Sequence, residues 1–168
     1  MVAGLPKPRT TMADEITRLA EAGARCAFVS DRLAHLMDRD SEAYDLVVAA
    51  FRLPKGSEDE KSARSARIQE ALRAATEAPL EVMHTCGEAI QVADVIARFG
   101  NPNASSDVRV GLELLAAGLR GARLNVLINL ESMKDADYVV ATRASVDQLV
   151  TRTEAQGAAA IQSLEGRR

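Results

Sequence analysis

Two asparagines four residues apart, Asn125 and Asn129, and an aspartate that directly follows two serines, Asp107, are the side chains whose types and spacing most invite chemistry. Asparagine is a poor helix former, and a spacing of four sets both carboxamides on one helix face. There they can bind the edge of a heterocycle, or they can hydrogen-bond the ends of neighbouring helices. Asp107 closes the run "GNPNASSD" that begins at Gly100. A serine N-cap with an acidic residue in the first helical turn explains that run locally. The same position sets a carboxylate beside the free N–H groups of a helix start, where an anionic or proton-transferring site is easily built. Asp40 and Asp45 bracket Tyr44. Each aspartate can be a solvated or capping residue, and Tyr44 can sit in a core with its hydroxyl reaching a partner. Lys55, Arg64 and Arg67 form a local basic group that either holds carboxylates or pairs with Glu58 and Glu60.

Other chemistries lack their signatures. The sequence has no GxSxG, no HExxH and no cysteine–histidine nucleophile pattern. His35 and His84 are single histidines on helical stretches, without the i, i+4 partner of a helical metal site, so structural or surface roles are expected and no metal. Cys26 and Cys86 fall far apart inside apolar patterns, with no CxxC, which predicts two buried free thiols in a reducing compartment.

The elements that must position these groups are helices. Apolar residues make up 47% of the 168 and aromatics only 3%, with no Trp, so the core must be built from Ala, Leu, Val, Ile and Met. That excludes the aromatic platforms that stack nucleic-acid bases. The 21 basic and 24 acidic residues are mixed along the chain, and no basic patch marks a nucleic-acid or anionic-lipid partner. No run approaches the ~18 apolar residues of a membrane span, and "MVAGLPKPR" is too short in its apolar part for a signal peptide, so a cytoplasmic protein is expected. The length suits one domain over residues 1–168.

From Ala13 to Met37 the positions Ile16, Leu19, Gly23, Cys26, Ser30, Leu33 and Met37 predict the seam of a long helix. A helical stretch continues through "DRDSEAYDLVVAAFRLP", with a start near Asp40 or Ser41, and Pro54 and Gly56 end it. Ser57 followed by Glu58, Asp59 and Glu60 predicts an N-cap and an acidic first turn. The next helix is expected to kink or restart at Pro79 and to stop at Gly100. Small residues, among them Gly111, Ala117, Gly118 and Gly121, predict that the helix after the Asn/Ser loop is central. A last amphipathic helix, fraying at its basic end, completes an all-α bundle of long antiparallel helices.

Three blocks in order, "DSEAYDLVVAAFRLPK", "EKSARSARIQEALRAATEAPLEV" and "GNPNASSDVRVGLELLAAGLRGARLNVLINL", closely resemble the cyclodeaminase/cyclohydrolase family. That family comprises the cyclodeaminase half of formiminotransferase-cyclodeaminase and the stand-alone methenyltetrahydrofolate cyclohydrolases. The resemblance runs from about Met1 into the last helix. It implies a helical bundle that forms a homodimer, with folate bound in a crevice at or near the dimer interface and neither metal nor other cofactor. One branch expels ammonia from 5-formiminotetrahydrofolate to close the 5,10-methenyl ring; the other adds water to 5,10-methenyltetrahydrofolate to give 10-formyltetrahydrofolate. Both reactions pass through a tetrahedral carbon between two nitrogens, so they need a proton shuttle and polar groups that hold the pterin.

The polar positions that match the family are Asp40, Tyr44, Lys55, Arg64, Asn101, Asn103, Ser106, Asp107, Asn125 and Asn129. At these positions we expect Asp40 or Asp107 to act as general acid/base and the others to bind substrate. A chain of this family without a preceding formiminotransferase domain is expected to be the cyclohydrolase. Family members usually begin with a further helix led by a Pro-Gly-Gly-Gly-Ser-like segment, and "MVAGLPKPR" resembles only the last turn of that helix. A truncated start is expected to leave an apolar groove uncovered. The alternative of another class is a non-catalytic helical dimer that retains the fold as a folate binder or scaffold.

Overall fold

The computed structural model describes residues 1–5 and 9–166. Its four long helices are α1 (Ala13–Phe51), α2 (Glu58–Phe99), α3 (Ser105–Glu131) and α4 (Ala136–Glu165), with no strand among the described residues. Ser57 starts the longest of them. Its hydroxyl accepts from the Glu60 N–H and the Glu60 carboxylate accepts from the Ser57 N–H, while Glu58, Asp59 and Glu60 face the positive end of the helix. From that capping box α2 runs for 42 residues, roughly 60 Å, and stops at Gly100 as expected. The restart expected at Pro79 does not occur: Pro79 is buried inside one continuous helix.

The boundary expected near Asp40 is likewise absent, because α1 is a single helix of 39 residues. Its buried stripe is Leu19, Ala22, Val29, Leu36, Ala43 and Ala50, close to a seven-residue repeat. The predicted seam coincides with it only at Leu19: Ile16, Ser30 and Met37 are exposed, and Gly23, Cys26 and Leu33 half-buried. Alanines 22, 43 and 50 carry the close contact with α2, and alanine has too little apolar bulk to stand out from the larger residues beside it.

Asn101 opens the connection to α3 by accepting from the Asn103 N–H at 3.0 Å, which starts a 3₁₀ turn over Pro102–Ala104. The turn runs directly into α3. Ser105 is therefore already helical, and its hydroxyl donates back to the Pro102 carbonyl at 2.6 Å. No serine caps α3, contrary to expectation, although Asp107 does lie in the first turn. Asp135 caps α4 by accepting from the Tyr138 N–H. The fraying expected at the basic C-terminus falls on Arg167 and Arg168, outside the described residues.

Short connections make successive helices antiparallel neighbours. Arg25 pairs with Glu88 at 2.7 Å and Arg32 with Glu81 at 2.9 Å, which fixes the opposite directions of α1 and α2. The central helix is α2, packed against α1, α3 and α4, and not α3 as its small residues suggest. At Gly111 and Gly121 of α3 an added Cβ would meet nothing within 4 Å, so those glycines face open space.

The core divides along the bundle into a head cluster around Leu19, Ile90, Ala97 and Leu112, a middle cluster around Met83, Cys86, Leu119 and Val126, and a tail cluster of Ala50, Ile68, Ala71 and Leu72. Val2–Gly4 form a 3₁₀ turn rather than a last α-helical turn, and Val2 and Ala3 pack on the head cluster. Gly23 permits that contact, since a Cβ there would stand 3.2 Å from the Ala3 Cβ. The Arg9 N–H then donates to the Phe99 carbonyl at the end of α2.

Candidate functional site

The ten residues singled out from the sequence fall at two ends of one bundle. Asn101, Asn103, Ser106 and Asp107 stand at the head, where α2 ends and α3 begins. Asp40 and Tyr44 on α1, Lys55 and Arg64 at the α1–α2 turn, and Asn125 and Asn129 on α3 stand toward the tail. Asp107 and Asn129 are separated along α3 by roughly 30 Å.

An apolar groove lies between the helices toward the head. It is a cavity of about 220 Å³ between α1 and α3 with α2 as its floor, lined by Gly23 and Cys26, by Ala89 and Ala93, and by Gly111 and Leu115, with Met1–Ala3 along its edge. A step of seven residues returns a helix to nearly the same face, within ~20°. Such steps lead from Gly23 through Ser30 and Met37 to Tyr44, and from Cys26 through Leu33 to Asp40. On α3 they lead from Gly111 through Gly118 to Asn125, and from Leu115 through Ala122 to Asn129. Asp40 and Tyr44 therefore continue the α1 bank of the groove toward the tail, and Asn125 and Asn129 continue the α3 bank.

At the tail Arg64 is built into the turn. Its Nη2 donates to the Phe51 carbonyl at 3.0 Å, its guanidinium lies 5.5 Å from the Phe51 ring, and its Nε is buried without a partner. Of the two roles open to Lys55, Arg64 and Arg67, pairing with Glu58 and Glu60 is not found among the described residues. Glu58 takes Lys61, Arg67 takes Glu70, and Glu60 is committed to the capping box. Lys55 is exposed, with no ion pair among the described residues. Tyr44 is not a core residue but 66% exposed.

Asn129 has a definite partner. Its Nδ2 donates to the Ala75 carbonyl at 2.8 Å. Ala75 lies four residues before Pro79, so its carbonyl is the one that the missing proline N–H leaves without a helical donor. Asn129 supplies that donor from α3. Asn125, one turn earlier, is exposed and makes no hydrogen bond among the described residues.

At the head a concavity of about 780 Å³ is lined by Asn103, Ser106, Arg109, Val110, Leu164 and Glu165, with Arg109 paired to Glu165 at 2.9 Å. Asp107 is exposed beside this lining and not part of it. The Asn101 carboxamide is occupied in its turn. Arg109 and Glu165 went unnoticed in the sequence because their pairing joins the two ends of the α3–α4 hairpin. Glu81 went unnoticed for a similar reason: it receives Arg32 and Arg39 from α1. The Arg32 hydrogen bond, with Arg39 adding to it, holds the Glu81 carboxyl below its ordinary value of 4.5. His35 and His84 are exposed; Cys86 is buried and Cys26 half-buried, both are free, and burial pushes both thiols up.

The sequence model of the formiminotransferase-cyclodeaminase family matches residues 1–148. Methenyltetrahydrofolate cyclohydrolase of Methylorubrum extorquens is 42% identical over 106 residues, covering 63% of this chain and 51% of that protein. Formimidoyltransferase-cyclodeaminase of Rattus norvegicus is 34% identical over 139 residues, covering 83% of this chain and 26% of that protein. The chain thus spans about half the length of the first and about a quarter of the second. The crystal structure of formiminotetrahydrofolate cyclodeaminase from Thermotoga maritima superposes with a TM-score of 0.76 at 25% identity, over 99% of this chain and 77% of that one. With the family's sequence model matching most of its length and its helices superposing on those of a cyclodeaminase, this chain belongs to the formiminotransferase-cyclodeaminase family.

Proposed function

We propose that this chain is a cytoplasmic enzyme of folate one-carbon metabolism that hydrolyses 5,10-methenyltetrahydrofolate to 10-formyltetrahydrofolate. The observation that carries this reading is the apolar groove between α1 and α3 toward the head, with Asp40, Tyr44, Asn125 and Asn129 at helix positions that extend its two banks beyond the cavity. Such a slot suits a flat heterocycle with polar edges. Water adds to the carbon between the two folate nitrogens and loses both its protons, one to solvent and one to the nitrogen whose bond to that carbon breaks. Asp40 or Asp107 moves the proton, and Tyr44, Lys55, Arg64, Asn101, Asn103, Ser106, Asn125 and Asn129 hold the substrate. The two free thiols suit a reducing cytoplasm.

The alternative is 5-formiminotetrahydrofolate cyclodeaminase, favoured by the fold of the Thermotoga maritima protein. The higher identity to the Methylorubrum extorquens cyclohydrolase tips the choice. Turnover of both folates, corrected for the spontaneous reactions, decides between them. Hydrolysis of the methenyl compound alone supports the proposal, and ammonia release from the formimino compound supports the alternative. A folded chain that turns over neither is the non-catalytic dimer.

The working unit is a homodimer. Val110, Leu114, Leu124 and Ile128 form an exposed apolar stripe on α3, with Ala117 and Gly121 between them. A second copy crossing antiparallel near Gly121 covers the stripe and brings the head of one α3 against the tail of the other. The two groups of site residues then meet across the interface. Mixing Asp107→Asn with Asp40→Asn chains, each inactive alone, tests this arrangement: heterodimers with one intact composite site return activity to about a quarter of wild type, by random assortment in a two-fold dimer. Mixtures as inactive as the parents place each site within one chain.

A further inference from the structure

We propose that Pro79 is a positioning residue for ligand recognition, because it holds the Asn129 carboxamide with its oxygen left free as an acceptor on the side of α3 that extends the groove. The inference rests on the folate reading for its ligand, but its geometry does not. In a regular helix the residue 79 N–H would donate to the Ala75 carbonyl; proline has none, and its ring pushes that carbonyl outward. The Asn129 Nδ2 takes the place of that donor at 2.8 Å.

The choice of amide face follows from chemistry. A carbonyl only accepts, so the nitrogen must point at Ala75 and the oxygen must point away. The Asn129 Oδ1 makes no hydrogen bond among the described residues and is not among the buried unpartnered polar atoms, so it reaches solvent. Its helix position, two steps of seven beyond Leu115, extends the α3 bank past the end of the cavity. The group offered there is a lone acceptor, which selects a ligand edge carrying an N–H, such as the amide or amino edge of a reduced pterin, over an edge of acceptors only. A free asparagine would turn to suit either edge. Pro79 removes that freedom.

The test separates the helix role from the ligand role. Pro79→Ala gives α2 its own donor to Ala75 and releases Asn129. The affinity for tetrahydrofolate, measured by calorimetric titration, is expected to fall several-fold, with KM rising and kcat nearly unchanged in turnover. In Pro79→Ala/Asn129→Ala the helix bond persists without asparagine, so folding stability stays at the Pro79→Ala level while affinity falls about tenfold, the loss of one hydrogen bond. Wild-type affinity in the double variant would make Asn129 a helix strut only and overturn the proposal. Unchanged affinity in Pro79→Ala alone would remove Pro79 from recognition. A wild-type chain that binds tetrahydrofolate without turning over either substrate loses the hydrolase assignment and leaves this inference standing; one that does not bind it loses both.

Discussion

Asp107 is exposed in the first turn of α3 and makes no hydrogen bond among the described residues, so its replacement reads on chemistry and not on folding. Asp107→Asn is expected to lower turnover by ~10² or more with an unchanged melting temperature; near-normal turnover would take it out of the mechanism. Glu81 gives a prediction of the opposite kind. Its carboxyl, held low by Arg32 and Arg39, adds stability that is fully present above its ordinary value of 4.5 and is lost as pH falls through its lower folded-state value. Urea midpoints between pH 7 and pH 3 should therefore show an acid-side loss that Glu81→Gln reduces, and equal slopes in both proteins would remove Glu81 as a source of it. The residue types at the candidate site were legible in the sequence. What each atom is already committed to was not. Asn101 is used by its own turn, which local reasoning can reach, but the need that Asn129 meets arises at Pro79, fifty positions earlier on another helix.

At the scale of elements, the Pro79 gap predicts a coupling between α2 and α3. Asn129→Ala leaves the Ala75 carbonyl without its donor and is expected to cost about 1–3 kcal/mol in urea denaturation. In a Pro79→Ala background the same substitution should cost clearly less, and equal costs in the two backgrounds would show that the helix gap is filled in some other way. The start of α2 was legible because a side chain, that of Ser57, makes the cap. Boundaries that depend on packing were not. Asp40 and Ser41 resemble a start, yet α1 passes through them because the stripe of Leu36, Ala43 and Ala50 continues against α2. Pro79 resembles a stop, yet tertiary contacts bury it in mid-helix and a neighbour replaces its lost bond.

The whole molecule is a rod with polar residues grouped at two ends and an open apolar stripe between them. Gly121 lies in that stripe with nothing near its missing Cβ. Gly121→Ala is therefore expected to stabilise the isolated chain by up to ~1 kcal/mol through helix propensity while weakening the dimer by preventing close approach of two α3 helices. Denaturation at low concentration and sedimentation across a concentration series measure the two effects. A dimer that tightens with the chain's stability would remove Gly121 from the interface. The all-α class and the long helices could be read from composition and periodicity. The central place of α2 could not, because small residues mark close approach without saying whether the approaching helix belongs to the same chain.

The division of the core along this rod has a further consequence. Among the described residues the head and middle clusters hold ten and eight buried side chains, whereas the tail cluster holds four, two of them alanines. Alanine offers little apolar surface to bury, at roughly 25 cal/mol per Å². Protection against hydrogen exchange should accordingly fall from head to tail, and the amides around Phe51 and Ile68 should exchange through local openings well before the molecule unfolds as a whole. The end that carries Lys55 and Arg64 is then also the end that breathes, so a bound substrate would slow exchange there more than anywhere else in the chain.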